Sequence, residues 1–318
     1  MAGGPHDRAS VGKRTGQTAN FSKFIVYNNC SYMIKPSTFS IVAYDRITQS
    51  WGVAVASKFP AVGAVVPWAA AGQGAVATQS FANTSFGPKG LALMAGGATA
   101  DQTLEALKAG DPDIESRQFG LVDKKGGSAT FTGSGCFDWA GGIAGHGFAV
   151  QGNILAGAAV VQAMAHTFQS HNGEFQARLL AALQAGDDAG GDKRGKQSAA
   201  ILVVREKGGY AGFNDRALDY RVDDDPQPIS KLWSLLEIHD LLFSHSTDDK
   251  KLPIRGEVRE QLARVLVAAG HLDSPDSANF TTALNHFIGR ENFEDRCDTN
   301  LMTIDEPVLD YLVRRYLK

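Results

Sequence analysis

Two apolar, β-rich runs stand back to back in the chain: Thr38–Tyr44 (TFSIVAY) and Trp51–Ser57 (WGVAVAS), joined by the polar segment Asp45–Gln49. This spacing predicts an antiparallel hairpin. A strand with one wet face alternates apolar with polar residues, whereas small residues and valine fill both faces here. The hairpin therefore needs cover on both sides, from helices or from a second sheet.

The next runs along the chain indicate what supplies the cover. Ala61–Trp68 and Gly74–Gln79 are short, apolar and β-branched, and Pro88–Ala95 comes after them. Thr99–Ala109 has an N-cap threonine and the apolar spacing of an amphipathic helix. Arg117–Asp123 and Ser128–Thr132 flank a Lys-Lys-Gly-Gly turn, a hairpin signal. Phe148–Val150 leads into Gln151-Gly-Asn153, and helices are expected over Val160–Gln169 and Glu174–Ala185. Ser198–Arg205 is a strand, turned by Gly208-Gly209 into Tyr210–Phe213, with Leu218–Val222 as a further strand. Strands, then helices, then strands again with hairpin connections make an α+β class of largely antiparallel sheets with helices outside. No Rossmann or P-loop glycine pattern occurs.

Asp223-Asp-Asp-Pro226 interrupts the pattern, and Ile229–Phe243 reads as an apolar helix. Ser244–Leu252 is a polar linker. Helices are expected over Ile254–Ala269, Ser277–Ile288 and Glu306–Tyr316, and no run after about residue 225 has strand character. The expected organisation is a poorly ordered extension over 1–37, a main domain over 38–243 and a small all-helical domain over 253–318. A formal net charge of −3 gives no global reason to bind nucleic acid or an anionic membrane. No apolar run is long enough to cross a bilayer, and the basic residues Arg8, Lys13 and Arg14 precede no apolar leader segment, so a cytoplasmic location is expected. Cys30, Cys136 and Cys297 are widely separated, which favours free thiols in a reducing compartment.

Several blocks in order carry a family resemblance: TFSIVAYD at Thr38, GVAVASKFPAVGAVVPWA at Gly52, GAVATQSFAN at Gly74, FGPKGL at Phe86, FTGSGC at Phe131, AVQGNILAG at Ala149, GGDKRGKQSAAILVV at Gly190 and GGYAGFNDRALDYRVDDDPQP at Gly208. Residues 38 to about 240 thereby resemble domain-of-unknown-function family 1028. The resemblance implies an N-terminal-nucleophile-hydrolase-like fold, a four-layer αββα sandwich. It also implies a hydrolase of a small C–N bond (amide, ureido, enamine or imine), such as a deaminase or amidohydrolase of nitrogen-compound catabolism. ALNHFIGRENFEDR at Ala283 and TIDEPVLDYL at Thr303 resemble the peptidoglycan-binding-like helical domain fused to that family.

The resemblance implies a nucleophile at the start of the first strand, which is Thr38, with its own α-amine as base. An α-amine has a pKa of about 7.7–8.0, near working pH, while an unassisted hydroxyl is inert. This chemistry needs cleavage between Ser37 and Thr38, or a start other than Met1; otherwise Thr38 is an ordinary β-branched strand residue, with Ser40 on the same face as a weaker substitute. Lys58, ending the second strand, is either a charge that activates the nucleophile or a solvated lysine. Gln79, Asn83 and Asn153 are amides amid small and apolar residues, suited to holding an oxyanion or to capping turns. The loop Gly190–Ser198 gathers Asp192, Arg194, Gln197 and Ser198 before a buried strand. There Arg194 suits a substrate carboxylate and Asp192 suits orienting a base. His146 is a further acid–base candidate. Asn214–Arg216 and Asp223–Asp225 read as solvated acidic turns, and neither metal nor cofactor is expected. The expected partner is a small molecule bearing a carboxylate, and a homodimer is one open arrangement. Two rival readings stand: a non-catalytic binding or scaffold protein, and a hydrolase in which Asp192, Lys58 and His146 activate water.

Overall fold

A computed structural model describes Met1, residues 38–244 and residues 247–317. The expectations for the 1–37 extension, including Cys30, fall outside the described residues. The first sheet has six strands in the order β10-β9-β2-β1-β8-β7, every neighbour antiparallel: β1 Thr38–Asp45, β2 Ser50–Ser57, β7 Gly141–Gly145, β8 Phe148–Asn153, β9 Ser198–Val204 and β10 Arg216–Val222. The second has four, β3 Pro67–Ala70, β4 Gly74–Ser80, β5 Arg117–Asp123 and β6 Ser128–Thr132, antiparallel in sequence order. The β1–β2 hairpin closes as expected, with the Asp45 carboxylate accepting from the Thr48 N–H at 3.0 Å and the Thr48 hydroxyl at 2.6 Å.

Both faces of each sheet are covered. Phe39, Ile41 and Ala43 of β1 face α3 (Ala159–Ser170), α4 (Phe175–Asp188) and α5 (Pro228–Phe243). The alternate residue Val42 meets Val53, Ala75, Ala77, Val122 and Leu202 between the sheets. The outer face of the second sheet, with Val76, Phe119 and Leu121, packs on α1 (Phe86–Ala95) and α2 (Ala100–Ala109) through Phe86, Met94 and Leu107. Thr99 and Gln102 form a complete capping box on α2, at 3.2 and 2.9 Å.

One end of the inter-sheet layer is polar. Ser40, Gln79, Gln118 and Gln151 are essentially unexposed. Gln118 donates to the Gly152 carbonyl at 2.8 Å and the Thr132 hydroxyl at 2.9 Å, and its Oε1 accepts from Gln79 Nε2 at 2.8 Å and Asn153 Nδ2 at 2.9 Å. Gln79 also donates to the Thr38 carbonyl at 3.2 Å and accepts from Ser40 at 2.6 Å, while Gln151 donates to Ser40 at 2.7 Å. Gly120 makes room: a Cβ there would lie 2.1 Å from Gln151 Oε1.

At the second sheet's corner, Asp111 accepts from Arg117 Nε at 2.9 Å and Asn83 Nδ2 at 2.7 Å, and Asn83 Oδ1 accepts from the Ser85 N–H and hydroxyl at the entry of α1. Arg117 holds the Asp111 carboxyl down at a pKa of about 2.

Beyond α5 a separate core gathers α6 (Gly256–Ala268), α7 (Phe280–Glu291) and α8 (Glu306–Tyr316). The α8 bounds match the expectation, and α6 and α7 begin two to three residues later than expected. This region is not purely helical. It contains a three-stranded ribbon, β11 (Lys251–Pro253), β13 (Thr303–Asp305) and β12 (Cys297–Asp298) in that spatial order. Strands of two or three residues are too short to show alternation, and Pro253 is tolerated because β11 is an edge. Two other expectations change. Ala61–Trp68 is broken by a 3-10 turn at Val62–Ala64, where Ala61 takes a left-handed φ of 52°, and only Pro67 onward is strand. Tyr210–Phe213 is not a strand; a 3-10 turn, Tyr210–Gly212, loops back as the Gly209 N–H binds the Asn214 carbonyl at 2.8 Å.

Replacing Gln118 with leucine strands buried donors and acceptors on both sheets. Urea unfolding is expected to show a loss of about 3 kcal/mol or more; a loss under about 1 kcal/mol would refute the central place given to this residue. For Asp111 the folded pKa lies below the unfolded one, so its contribution is complete above about pH 4 and disappears as pH falls towards about 2. Asp111→Asn should therefore be less stable at neutral pH and lose less further stability over that acid window than the parent protein.

Candidate active site

At one end of the first sheet, the strand register sets four polar side chains in a row. Ser198 pairs with Ser57, Ser57 with Thr38, and Thr38 with Asn153. Thr38 heads β1, a central strand, and its side chain lies on the inter-sheet face because Phe39 and Ile41 take the helix face. The Thr38 Oγ1 lies 3.2 Å from Ser57 Oγ, and all four residues are buried. Asn153 turns its Nδ2 to Gln118, and the Thr38 carbonyl receives Gln79. The strand head is thus held by its carbonyl and its hydroxyl.

The Gly190–Ser198 loop lies alongside. It is seamed to the segment after Asn153 by the Ala156 N–H to Gly191 carbonyl bond and the Lys193 N–H to Ile154 carbonyl bond, both 3.0 Å. Gly190, Gly191 and Gly195 have φ of 111°, 45° and 105°, in the left-handed region that glycine enters without strain. Asp192 is buried. Its Oδ2 accepts from the Lys58 backbone N–H at 2.8 Å, its Oδ1 accepts from the Arg194 backbone N–H at 2.8 Å, and its carboxylate pairs with the Arg194 guanidinium at 3.3 Å. Asp192 thus ties the end of β2 to the loop, and Arg194 is partly exposed over it.

The structure brings together Thr38, Asn153, Lys58, Asp192 and Arg194 at this end, but several roles change. The exposed Lys58 ammonium donates to the Lys196 carbonyl at 3.2 Å rather than to Thr38, so Asp192 meets Lys58 through the backbone. The Gln79 amide is taken up by Ser40, Gln118 and the Thr38 carbonyl, so it supports the site from below instead of facing a substrate. Asn83 belongs to the Asp111–Arg117 corner. Ser198 accepts from the Val62 N–H at 3.1 Å and donates to the Phe59 carbonyl, anchoring the turn after β2. Gln197 donates to Asp224 at 3.1 Å. His146 is exposed in the β7–β8 turn, at the opposite end of β8 from Asn153. Asp223 pairs with Arg221, and Asp225 caps the Gln227 N–H. Among the described residues no group of three or more His, Cys, Asp or Glu side chains is arranged to hold a metal.

Two contributors escape the sequence reading. Ser57 is the hydroxyl nearest Thr38, and its signal is the register of an antiparallel hairpin that puts the first residue of one strand opposite the last of the other. Gln118 is the other; its signal is a neutral amide at a buried position of an apolar strand. Neither described thiol competes as a nucleophile. Burial pushes the Cys136 thiol up, and burial followed by Asp298 and Asp305 pushes Cys297 up to about 12.

A crystal structure of a protein from Silicibacter pomeroyi, assigned to DUF1028, resembles this fold with a TM-score of 0.59 and 29% identity, over 67% of this chain and 91% of the other. No curated protein matches the chain. Residues 242–312 match the family described as "Putative peptidoglycan binding domain". Residues 38–232, more than half of the sequence, match the "Family of unknown function (DUF1028)", and the chain belongs to that family.

Proposed function

We propose that this protein is a hydrolase of a small C–N bond, an amidohydrolase or deaminase, and that its two-sheet core is the αββα sandwich of an N-terminal-nucleophile hydrolase. The observation that carries the reading is the place of Thr38 at the head of a central strand, with its hydroxyl 3.2 Å from that of Ser57 and its Cα partner at Asn153. Once the Ser37–Thr38 peptide bond is cleaved, the freed α-amine takes the hydroxyl proton as Thr38 Oγ1 attacks the substrate carbon, with Ser57 as the adjacent proton relay. With an amide or ureido substrate, the amine leaves on receiving that proton, and water then hydrolyses the ester or carbamate formed on Thr38. Asn153 Nδ2, oriented by Gln118, and neighbouring backbone N–H groups hold the developing oxyanion. Arg194, carried over Asp192, selects a small substrate with a carboxylate.

Intact-mass measurement of active protein should show a species beginning at Thr38. On a panel of small amides, ureido acids and enamines, Thr38→Ala should lower kcat/KM by about a thousandfold or more with the fold retained, and Ser57→Ala by about tenfold to a hundredfold. With an α-amine as base, kcat/KM should rise with pH through roughly 7 to 8. A full-length protein whose activity survives Thr38→Ala would instead point to water activated at Asp192, and a full-length protein inert on the panel to a binding role.

A further inference from the structure

A concave site lies at the other end of the first sheet. It is an open groove of about 1020 Å³ lined by β9 and β10, the first turn of α4 and the last turn of α5, and it reaches Thr48 and Ser50 at the β1–β2 turn. Thr38 lies at the opposite end of β1, roughly 20 Å away at about 3.3 Å per residue. The groove is therefore separate from the Thr38 site, and its ligand chemistry is independent of the function proposed there.

One wall is aromatic. The Tyr220 hydroxyl lies 3.0 Å from His239 Nδ1, the two rings meet edge-on with centroids 5.7 Å apart, and His239 in turn packs against Phe243 at 4.9 Å. Phe243 is 53% exposed, so an apolar ring is left facing water at the groove wall. Burial pushes the His239 pKa down and the Tyr220 pKa up, so this wall is neutral near pH 7.

The groove is lined by Glu174, Asp219 and Asp240 against Arg205 and Arg216, an excess of one negative charge. Glu174 occupies the N-cap position of α4, yet its carboxylate does not cap the helix. Burial, and after it the charge of Glu174, pushes the Asp240 carboxyl up from its ordinary value. Among the described residues neither carboxylate has an ion pair or a hydrogen bond. Of the arginines lining the groove, Arg216 is engaged with Asp219 at 2.8 Å, and the exposed Arg205 stands on the β9 side. The last turn of α5 is already fixed, since Arg296 donates to the Asp240 carbonyl at 3.2 Å and the Leu241 carbonyl at 2.6 Å.

A cavity with π faces on one wall and two carboxylates that lack an ion pair among the described residues favours one chemistry. A cation pairs with these carboxylates and gains from the ring faces, and an apolar body covers Phe243. An anion meets two carboxylates against the single uncommitted arginine Arg205, and a neutral molecule gains mainly the apolar contact. We propose that this groove binds a small organic cation, an ammonium or guanidinium group on an apolar body, with Glu174 and Asp240 as its counter-charges and Tyr220, His239 and Phe243 as its wall.

The test is calorimetric titration of the full chain with phenethylamine and agmatine, against phenethyl alcohol and phenylacetate as neutral and anionic controls. The amines should bind saturably at millimolar concentration or below, and the controls at least about tenfold more weakly. Glu174→Gln and Asp240→Asn should each weaken amine binding by about tenfold, Phe243→Ala by several-fold, and Thr38→Ala not at all. Both carboxylate substitutions are isosteric and break no bond among the described residues, so an unchanged melting profile should accompany the lost affinity. The proposal is overturned if no amine binds, if the alcohol binds as well as the amine, or if the folded Glu174→Gln/Asp240→Asn double variant keeps its affinity.

Discussion

The Gly152 carbonyl can only accept a hydrogen bond, and the hydrogen-bond directions in the inter-sheet layer stem from that. Gln118 must point its nitrogen at Gly152, 2.8 Å away, so its oxygen faces the other way. Gln79 and Asn153 must then both present nitrogens to that oxygen. With its nitrogen committed, Gln79 has only its oxygen for Ser40, whose hydroxyl must therefore donate and is left to accept from Gln151. A one-way chain of amides thus joins the two sheets and sets the orientation of Asn153. An apolar layer would join the sheets as firmly. It would not fix a direction, because hydrophobic contact has none.

The same logic of a buried polar group acting as a locator recurs at the other core. Arg296 is buried, pairs with Asp305 at the start of α8, and donates to carbonyls of Asp240, Leu241 and Ser244 at the end of α5. Those carbonyls lie at the negative end of the helix dipole, where the Asp240 carbonyl also takes the Ser244 N–H at 3.1 Å, so a guanidinium meets them with matching charge. A buried ion pair contributes little net stability against a well-packed apolar replacement, but it tolerates few alternative arrangements. Helix α5 belongs to both cores, with Leu232 and Leu236 in one and Leu241 in the other, and Arg296 fixes the turn where it passes between them.

How far the sequence could be read depended on the range of the signal. The β1–β2 hairpin, the Thr99 capping box and α8 were legible because each is written in neighbouring residues. The β7 strand, Gly141–Gly145, was not, since a glycine-rich edge strand with Ile143 as its one β-branched residue carries no apolar alternation. In the site, Thr38, Asn153 and Asp192 do converge, because register and one glycine loop suffice to place them. Gln79, Asn83, Gln197 and Ser198 were less legible for a different reason. A polar residue next to an apolar strand gives the same sequence signal whether it faces a ligand or another part of the protein. The partner that decides, Gln118 for Gln79 or Asp111 for Asn83, lies 39 or 28 residues away.

The amide chain also bears on how Thr38 could become a terminus. Both side-chain contacts that locate it, Gln79 to its carbonyl and Ser57 to its hydroxyl, attach to atoms on the C-terminal side of its amide nitrogen. Breaking the bond to Ser37 removes neither. Processing would therefore free an amine at a strand head that is already held in place, and the Thr38 hydroxyl would keep its contact with Ser57. Preorganisation of this kind is what a hydroxyl nucleophile requires, because its reactivity depends on a base kept within hydrogen-bond reach, and the threonine's own amine cannot leave.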